Sequence, residues 1–450
     1  MTTNYKIFNN TVFALAIALL CYYIVTFFMM PPIIHPEFYR TFPAMLAETE
    51  QGLFHDAISK TFNLLMIEDG AYRPRALAFF MHWIDTHTIA ALSQYTTLFG
   101  VRLPLILFSA LTFVAMAFLL CRALFPSFSI SLCLLLSTLP LFFPQFQITT
   151  YVTLRSAKML APAVIAFIFY IFIKFNHNME NSKKSHVLLI AFLLFLLSTI
   201  DEQSLATLVF FTSLSLLLCL LDKKINVNFI IFIIATLSYL VYHLFLAKML
   251  FKYFTPVDIG QHPHTIGGVL RIDMSMMHNS LSLLYKNMRH FFPPIVCAII
   301  FMLVFYKLVT CYKRFLLREC IVFASILLFI ITLIYSICIA HPSIVALPDL
   351  HKSMYFIPTV SLLYFAILYI FSRIVEFEKL KPINAAILLI VVTISHVIYF
   401  YNYKSDYYLN HVAKNGHLRI VSSKNDPGYP HSFVDILDGM NIQGYVLTSW

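Results

Sequence analysis

The sequence predicts an all-α integral membrane protein with about eleven transmembrane helices, interfacial helices in the first external loop and a small external C-terminal region. Three observations carry this. The chain is 60% hydrophobic and 12% charged, where a soluble domain carries roughly 25% charged residues. Apolar runs of about 20 residues, each long enough to cross a hydrocarbon core, recur from end to end. Basic residues collect in alternate connections between those runs.

In order, the expected spans are Thr11–Met30, Leu103–Cys121, Phe128–Phe146, Met159–Lys174, Val187–Ile200, Ser204–Leu221, Val227–Leu250, Phe291–Thr310, Cys320–Ala340, Met354–Phe371 and Ile383–Tyr401. Backbone polar groups in lipid must be satisfied within a segment, so these runs are helices. The first is too long, and too poor in small residues at a cleavage site, for a removed signal peptide, and reads as a signal anchor. Residues 1–401 form one membrane domain, with external loops at 31–102 and 251–290. Residues 402–450 form an external cap. In that cap His417–Ser422 and Gly444–Thr448 read as short strands and Phe433–Met440 as a short helix.

With the N-terminus inside, one set of connections carries fourteen basic and five acidic residues, among them Lys183, Lys184, Lys223, Lys224, Lys313 and Arg314. The other side carries seventeen basic and sixteen acidic residues. The basic set is therefore cytoplasmic, and the tail lies outside. The formal net charge of +10 is mainly this bias and gives no reason to expect nucleic acid.

The eight cysteines lie in or beside spans, without a CxxC pair, so neither a disulfide framework nor a structural zinc site is expected. His262-Pro263-His264 lacks an acid or cysteine ligand at a close spacing, and His243 and His396 read as core histidines. No Walker motif, GxGxxG, HExxH or GxSxG is present, so ATP hydrolysis, nicotinamide chemistry, zinc proteolysis and the common serine hydrolase route lack support.

The first external loop is not a polar linker. Ile58, Phe62, Leu65 and Met66, then Leu77, Phe80, Met81 and Ile84, each make an apolar face at helical spacing. Both are expected to lie in the membrane interface. Between them Glu68-Asp69-Gly70-Ala71-Tyr72-Arg73-Pro74-Arg75 sets two acids and two arginines on a turn. Asp69-Gly70 can equally be a plain turn, with Pro74 starting the next helix and the arginines serving as interfacial anchors.

Glu37 follows the first span by seven residues. It reads either as a solvated acid paired with Arg40 or as a general base at the membrane edge. Asp201-Glu202 joins two spans with almost no loop, which holds both acids close to hydrocarbon. Thr199-Ile200-Asp201-Glu202 also matches a capping box that starts the next helix. Arg102, Arg155, Lys158, Lys248, Lys252, Arg271, Lys286, Arg289 and Lys352 fall at or near external span ends. Snorkelling explains some of them, and phosphate groups are their natural partners.

The general plan resembles the GT-C superfamily of membrane glycosyltransferases. Gly70-Ala71-Tyr72-Arg73-Pro74-Arg75 is similar to a Gly-x-Tyr/Phe-Arg-Pro stretch in the first loop of bacterial members. His351-Lys352-Ser353-Met354-Tyr355-Phe356-Ile357-Pro358 resembles their basic–aromatic–proline approach to a late span, and Asp201-Glu202-Gln203 an acidic turn in their middle hairpin. Many members place an Asp-containing acidic pair soon after the first span, whereas here Glu37 stands alone and Glu68-Asp69 comes later.

The resemblance implies a multi-pass protein of the bacterial inner membrane that transfers a sugar from a polyprenyl-phosphate carrier to a glycan or glycolipid acceptor, of lipopolysaccharide or O-antigen type, on the external face. Glu37, Asp69 and Glu68 are then the candidate catalytic acids. Arg40, Arg73, Arg75, Asp201, Glu202, Arg155 and Lys352 are the candidate substrate-binding residues. No cofactor is expected, since no sequence feature supports a divalent cation. The partners expected are the lipid-linked sugar, the acceptor and membrane lipid. The alternative is a polytopic transporter or a flippase for lipid-linked glycans. Against it stand the lack of an internal repeat and the few ionisable groups at mid-depth.

Overall fold

The structure, a computed structural model, describes residues 3–29, 33–34, 45, 52–62, 67–68, 71–72, 75–92, 103–151, 155–176, 183–254, 317–340, 355–378, 418–421 and 446–449. Its body is helical, and the chain is a multi-pass membrane protein. Helix α1 runs over Thr3–Met29, α2 over Leu53–Thr61 and α3 over Ala76–Leu92. Next come α4, Leu103–Leu124, and α5, Ile130–Thr138, which tightens into a 3₁₀ turn at Leu139–Phe142 before α6, Pro144–Tyr151. Helices α7, Ser156–Lys174, α8, Lys184–Ser198, and α9, Glu202–Asp222, follow. Helix α10, Val227–Val241, continues through a π-helical turn at Tyr242–Leu246 into α11, Ala247–Phe254. The last two are α12, Leu317–Ala340, and α13, Ile357–Glu378.

Among the described residues, five runs are long and apolar enough to cross a membrane: Ile7–Val25, Leu105–Leu124, Ser156–Lys174, Glu202–Asp222 and Val227–Phe254. Shorter apolar helices at Ile130–Phe142, Lys184–Ser198, Ile321–Ser336 and Ile357–Arg373 coincide with four further expected spans. Those expected at Phe291–Thr310 and Ile383–Tyr401 lie outside the described residues, so the count of eleven stands only as an expectation.

Helix α7 is the centre of the bundle, with 78% of its apolar window buried against 17% for α1. It packs on α4, α9, α13 and α3. Lipid tails are as apolar as leucine, so burial alone gives no drive for helices to associate. Close packing does. Small buried residues on α4 (Ala110, Ala117) and α7 (Ala157, Ala161, Ala163, Ala166) let backbones approach. Between them Phe113, Phe146, Phe169, Phe211 and Phe365 interlock, with ring centroids 4.8 Å apart for Phe113–Phe146 and 5.3 Å for Phe169–Phe211. Such dispersion contacts are small singly and large in sum.

Two poles result. At the lower pole Arg122 donates to the Phe128 carbonyl at 2.6 Å, Asn226 to Asn176 Oδ1 at 2.9 Å and Asn228 to the Phe172 carbonyl at 3.2 Å. At the upper pole the Tyr23 hydroxyl meets that of Thr150 at 2.6 Å, and α2 and α3 lie against the helix ends. The upper ends are those that the basic-loop rule assigns to the external side.

The first-loop helices differ in detail from the periodicity. Helix α2 stops at Thr61, and its buried residues are Asp56, Ala57 and Thr61, while Leu53 and Phe54 are exposed. In α3 the buried set is Ala78, Phe79, Met81, Asp85, Thr86 and Ile89, and Phe80 is exposed. A helix in the interface has lipid on one side and protein on the other, so its largest apolar side chains need not face the protein. Between α2 and α3, strands β2 (Ile67–Glu68) and β3 (Ala71–Tyr72) pair antiparallel, Ile67 with Tyr72 and Glu68 with Ala71. The tail strands β4 (Leu418–Val421) and β5 (Val446–Ser449) pair antiparallel, β4 within its expected segment and β5 one residue past the expected end at Thr448, and β5 also pairs in parallel with β1 (Ile33–Ile34).

Candidate functional site

The upper pole collects charged residues from distant parts of the chain. Asp201 has extended backbone and is the N-cap of α9, accepting from the Gln203 N–H at 2.9 Å. Its second carboxylate oxygen forms an ion pair with Lys158, in the first turn of α7. Asp201 is buried and Lys158 nearly so. Burial alone would raise the Asp201 carboxyl. The charge and hydrogen bond of Lys158, the charge of Arg75 and the Gln203 N–H together hold it below the ordinary carboxylate range. The capping box expected from Thr199 is not formed. Asp201, directly before the helix, takes the cap, and the Thr199 hydroxyl instead donates to the Leu196 carbonyl at 2.7 Å and accepts from the Leu77 N–H at 3.3 Å. That second bond ties α3 to the α8–α9 turn.

Gln203 links α9 to α13. Its amide N–H donates to the Tyr355 carbonyl at 2.7 Å, and its carbonyl oxygen accepts from the Thr359 hydroxyl at 3.1 Å. The Lys158 ammonium also lies 5.3 Å from the centroid of the Tyr355 ring. Pro162 in α7 has no N–H to give to the carbonyl four residues back, which is that of Lys158. The turn carrying Lys158 is thus held by its side chain and by neighbouring helices rather than by its own ladder alone.

Asp85 meets the other side of the α7 N-terminus. It accepts at Oδ1 from the Ser156 hydroxyl at 2.9 Å and from the Ser156 backbone, so α3 caps α7 from outside. Its Oδ2 has no hydrogen-bond partner among the described residues. Burial pushes this carboxyl up to about 7, and the Ser156 bonds only partly offset that. Arg155, at the N-cap position of α7 and directly before Ser156, is also buried.

On the opposite side of α3 a second constellation forms. The Trp83 indole N–H donates to Asp56 Oδ2 at 2.8 Å, and His87 Nε2 lies 3.7 Å from the same oxygen. The Trp83 and His87 rings, one helical turn apart, have centroids 4.6 Å apart.

Of the residues expected at a site, Arg75, Arg155, Asp201 and Glu202 are described. Arg75, at the start of α3, acts electrostatically on Asp201 and lies over the Phe79 ring at 5.8 Å. Glu202 is exposed at the first position of α9, and it and Arg75 both act on the Tyr239 hydroxyl of α10. Arg75, Asp201 and Glu202 are therefore gathered at one pole, with Arg155 at the nearby start of α7. Glu37, Arg40, Asp69, Arg73 and Lys352 lie outside the described residues, and only the backbone of Glu68 is described. Sequence reasoning left out Asp56, Asp85, His87, Ser156 and the role of Lys158. A signal existed for Asp85: it falls in register with Ala78, Met81 and Ile89, a carboxyl on an apolar stripe.

Among the described residues no group of three metal-ligating side chains forms. No family model, curated protein or solved structure matches this chain.

Proposed function

We propose that this chain is a membrane glycosyltransferase of the bacterial inner membrane. It would move a sugar from a polyprenyl-phosphate carrier to an envelope glycan of lipopolysaccharide or O-antigen type on the external face. The observation that carries the reading is the convergence of Arg75 and Lys158 on buried Asp201 at one pole, with Arg155 at the start of the same helix as Lys158. Fixed cations at headgroup depth suit a phosphate that arrives from the plane of the membrane and leaves with added charge as the glycosidic bond forms. Asp201, capped into the α9 start, holds the Lys158 ammonium in place before substrate binds. Lys352 and the first-loop arginines Arg40 and Arg73 would complete the cationic lining. Glu37, Glu68 and Asp69 are the candidates from the first loop for accepting the acceptor hydroxyl's proton. No nucleotide is required, in keeping with short connections at the lower pole.

The test is transfer of radiolabelled hexose from synthetic polyprenyl phosphates by the full chain in nanodiscs, with lipopolysaccharide as acceptor. Transfer that falls about 100-fold or more in Lys158→Met, per amount of folded protein, supports the reading. Movement of the lipid-linked sugar between leaflets without transfer would instead favour the flippase alternative.

A further inference from the structure

The geometry points to a carboxylate–imidazole dyad, Asp56–His87, as a proton-accepting site formed by the two first-loop helices. The inference rests on the transferase reading and names a base for it that lies on neither the acidic turn nor Glu37.

Asp56 is buried, at 5% side-chain exposure, while His87 is 27% exposed. The Trp83 N–H fixes Oδ2, and the same oxygen faces His87 Nε2. Both Nε2 and Asp56 Oδ1 are buried and without a hydrogen-bond partner among the described residues. A carboxylate attracts an N–H and repels a lone pair, so the proton of neutral His87 resides on Nε2. That leaves the Nδ1 lone pair as the basic site, on a ring that is partly open. Catalytic hydrogen bonds are commonly long before substrate arrives, so 3.7 Å is a distance from which the pair can close. The arrangement has the logic of a buried acid orienting an accessible base. The other titratable groups on these two helices are His55 and Lys60 on α2 and His82 and Asp85 on α3. The ion pair to His87 is made by Asp56, and Asp85 is turned to Ser156. His87 lies two residues beyond Asp85, so it faces the first-loop side of α3 and not the start of α7.

The chemistry balances without a further reactant. The acceptor hydroxyl gives its proton to His87 Nδ1 as its oxygen bonds to the sugar's anomeric carbon. The bond from that carbon to the phosphate oxygen breaks, and its electron pair leaves with the polyprenyl phosphate. The imidazolium is stabilised by Asp56 until it releases the proton to water.

The experiment uses the full chain in nanodiscs with radiolabelled polyprenyl-phosphate hexoses and lipopolysaccharide, between about pH 5 and pH 8. His87→Gln is expected to lower kcat by about 100-fold or more with KM for the donor little changed. Asp56→Asn keeps an acceptor for Trp83, and is expected to lower kcat by about 10-fold or more with KM for the donor little changed, because the imidazolium loses its carboxylate. A His87→Gln protein with the wild-type rate and pH profile overturns the dyad and leaves the transferase reading standing. If His87→Gln does not accumulate, an unchanged kcat in Asp56→Asn overturns it. Absence of hexose transfer by the wild-type chain, with every donor tried, overturns the transferase reading and the dyad's role with it.

Discussion

Lys158 and Asp201 are 43 residues apart in the chain and meet as a buried ion pair between the first turn of α7 and the cap of α9. Taking one charge away leaves the other in a poorly solvating site. Lys158→Met and Asp201→Leu should each destabilise the folded chain by about 3–5 kcal/mol. The double variant should lose less than the two singles combined, because no unpaired charge is left. Thermal unfolding of the four proteins in one detergent measures this. Additive losses would count against the pair as a unit.

Asp85 predicts a pH dependence of stability. Its carboxyl is raised from an ordinary 3.8 to about 7 by burial, so the folded chain holds a proton there that the unfolded chain releases. Below about pH 4 both states are protonated and the group costs nothing. The cost grows as pH rises through about 7 and is then constant, on the order of 4 kcal/mol or less. Asp85→Asn, which can still accept from Ser156, should therefore gain stability over wild type as pH rises, with little difference at the acid end. Melting curves of both proteins across that range check it, and parallel curves would contradict it.

Gln203 predicts a coupling between helices. Gln203→Leu removes both bonds to α13 and leaves the Tyr355 carbonyl without that donor. A loss of about 1–3 kcal/mol is expected. Because Tyr355 also lies against Lys158, the loss should shrink when Lys158→Met is already present. A double-mutant cycle by thermal unfolding reads that coupling.

The two poles predict opposite accessibility. Lys252 near the end of α11 is exposed, and so is Lys224 after α9. In intact cells, Lys252→Cys should react with a membrane-impermeant maleimide and Lys224→Cys should react only after lysis, against a wild-type control for the native cysteines. The reverse pattern would invert the orientation expected from the basic loops.

Spans were legible because hydrocarbon thickness imposes length and apolarity on a segment whatever its neighbours. The helices at Leu103–Leu124 and Ser156–Lys174 lie within a few residues of their expected bounds. The third expected span was less so: its chain tightens at Leu139–Phe142 and restarts at Pro144, a break that a hydropathy window averages away. Asp201 stood out because a charge without a loop is rare. Lys158 stands in the sequence only as one of nine cations at external span ends, suited to snorkelling or to phosphate, since its partner lies on another helix and pairing across helices leaves no local mark. Asp56 and His87 were missed for the same reason. Their meeting depends on how α2 docks on α3, and on an interfacial helix the apolar stripe does not decide which side docks.

The π-helical turn at Tyr242–Leu246 acts as one surplus residue in an otherwise regular helix, about 100° of extra rotation. Along α10 the inward positions are Val227, Ile231 and Ala235, and the series reaches Tyr242. An unbroken spiral would next turn Leu246, Met249 and Tyr253 inward, yet those are exposed, and Ala247 and Phe251 are buried instead. Phe251 then reaches Phe79 and Met45. A single-codon deletion in this turn would remove the surplus and leave Phe251 facing inward on a regular spiral, whereas a single-codon insertion would turn Phe251 by about 100° away from Phe79 and loosen the first-loop helix α3 at that end of the bundle, although every hydrophobic residue needed for the contact would still be in the gene.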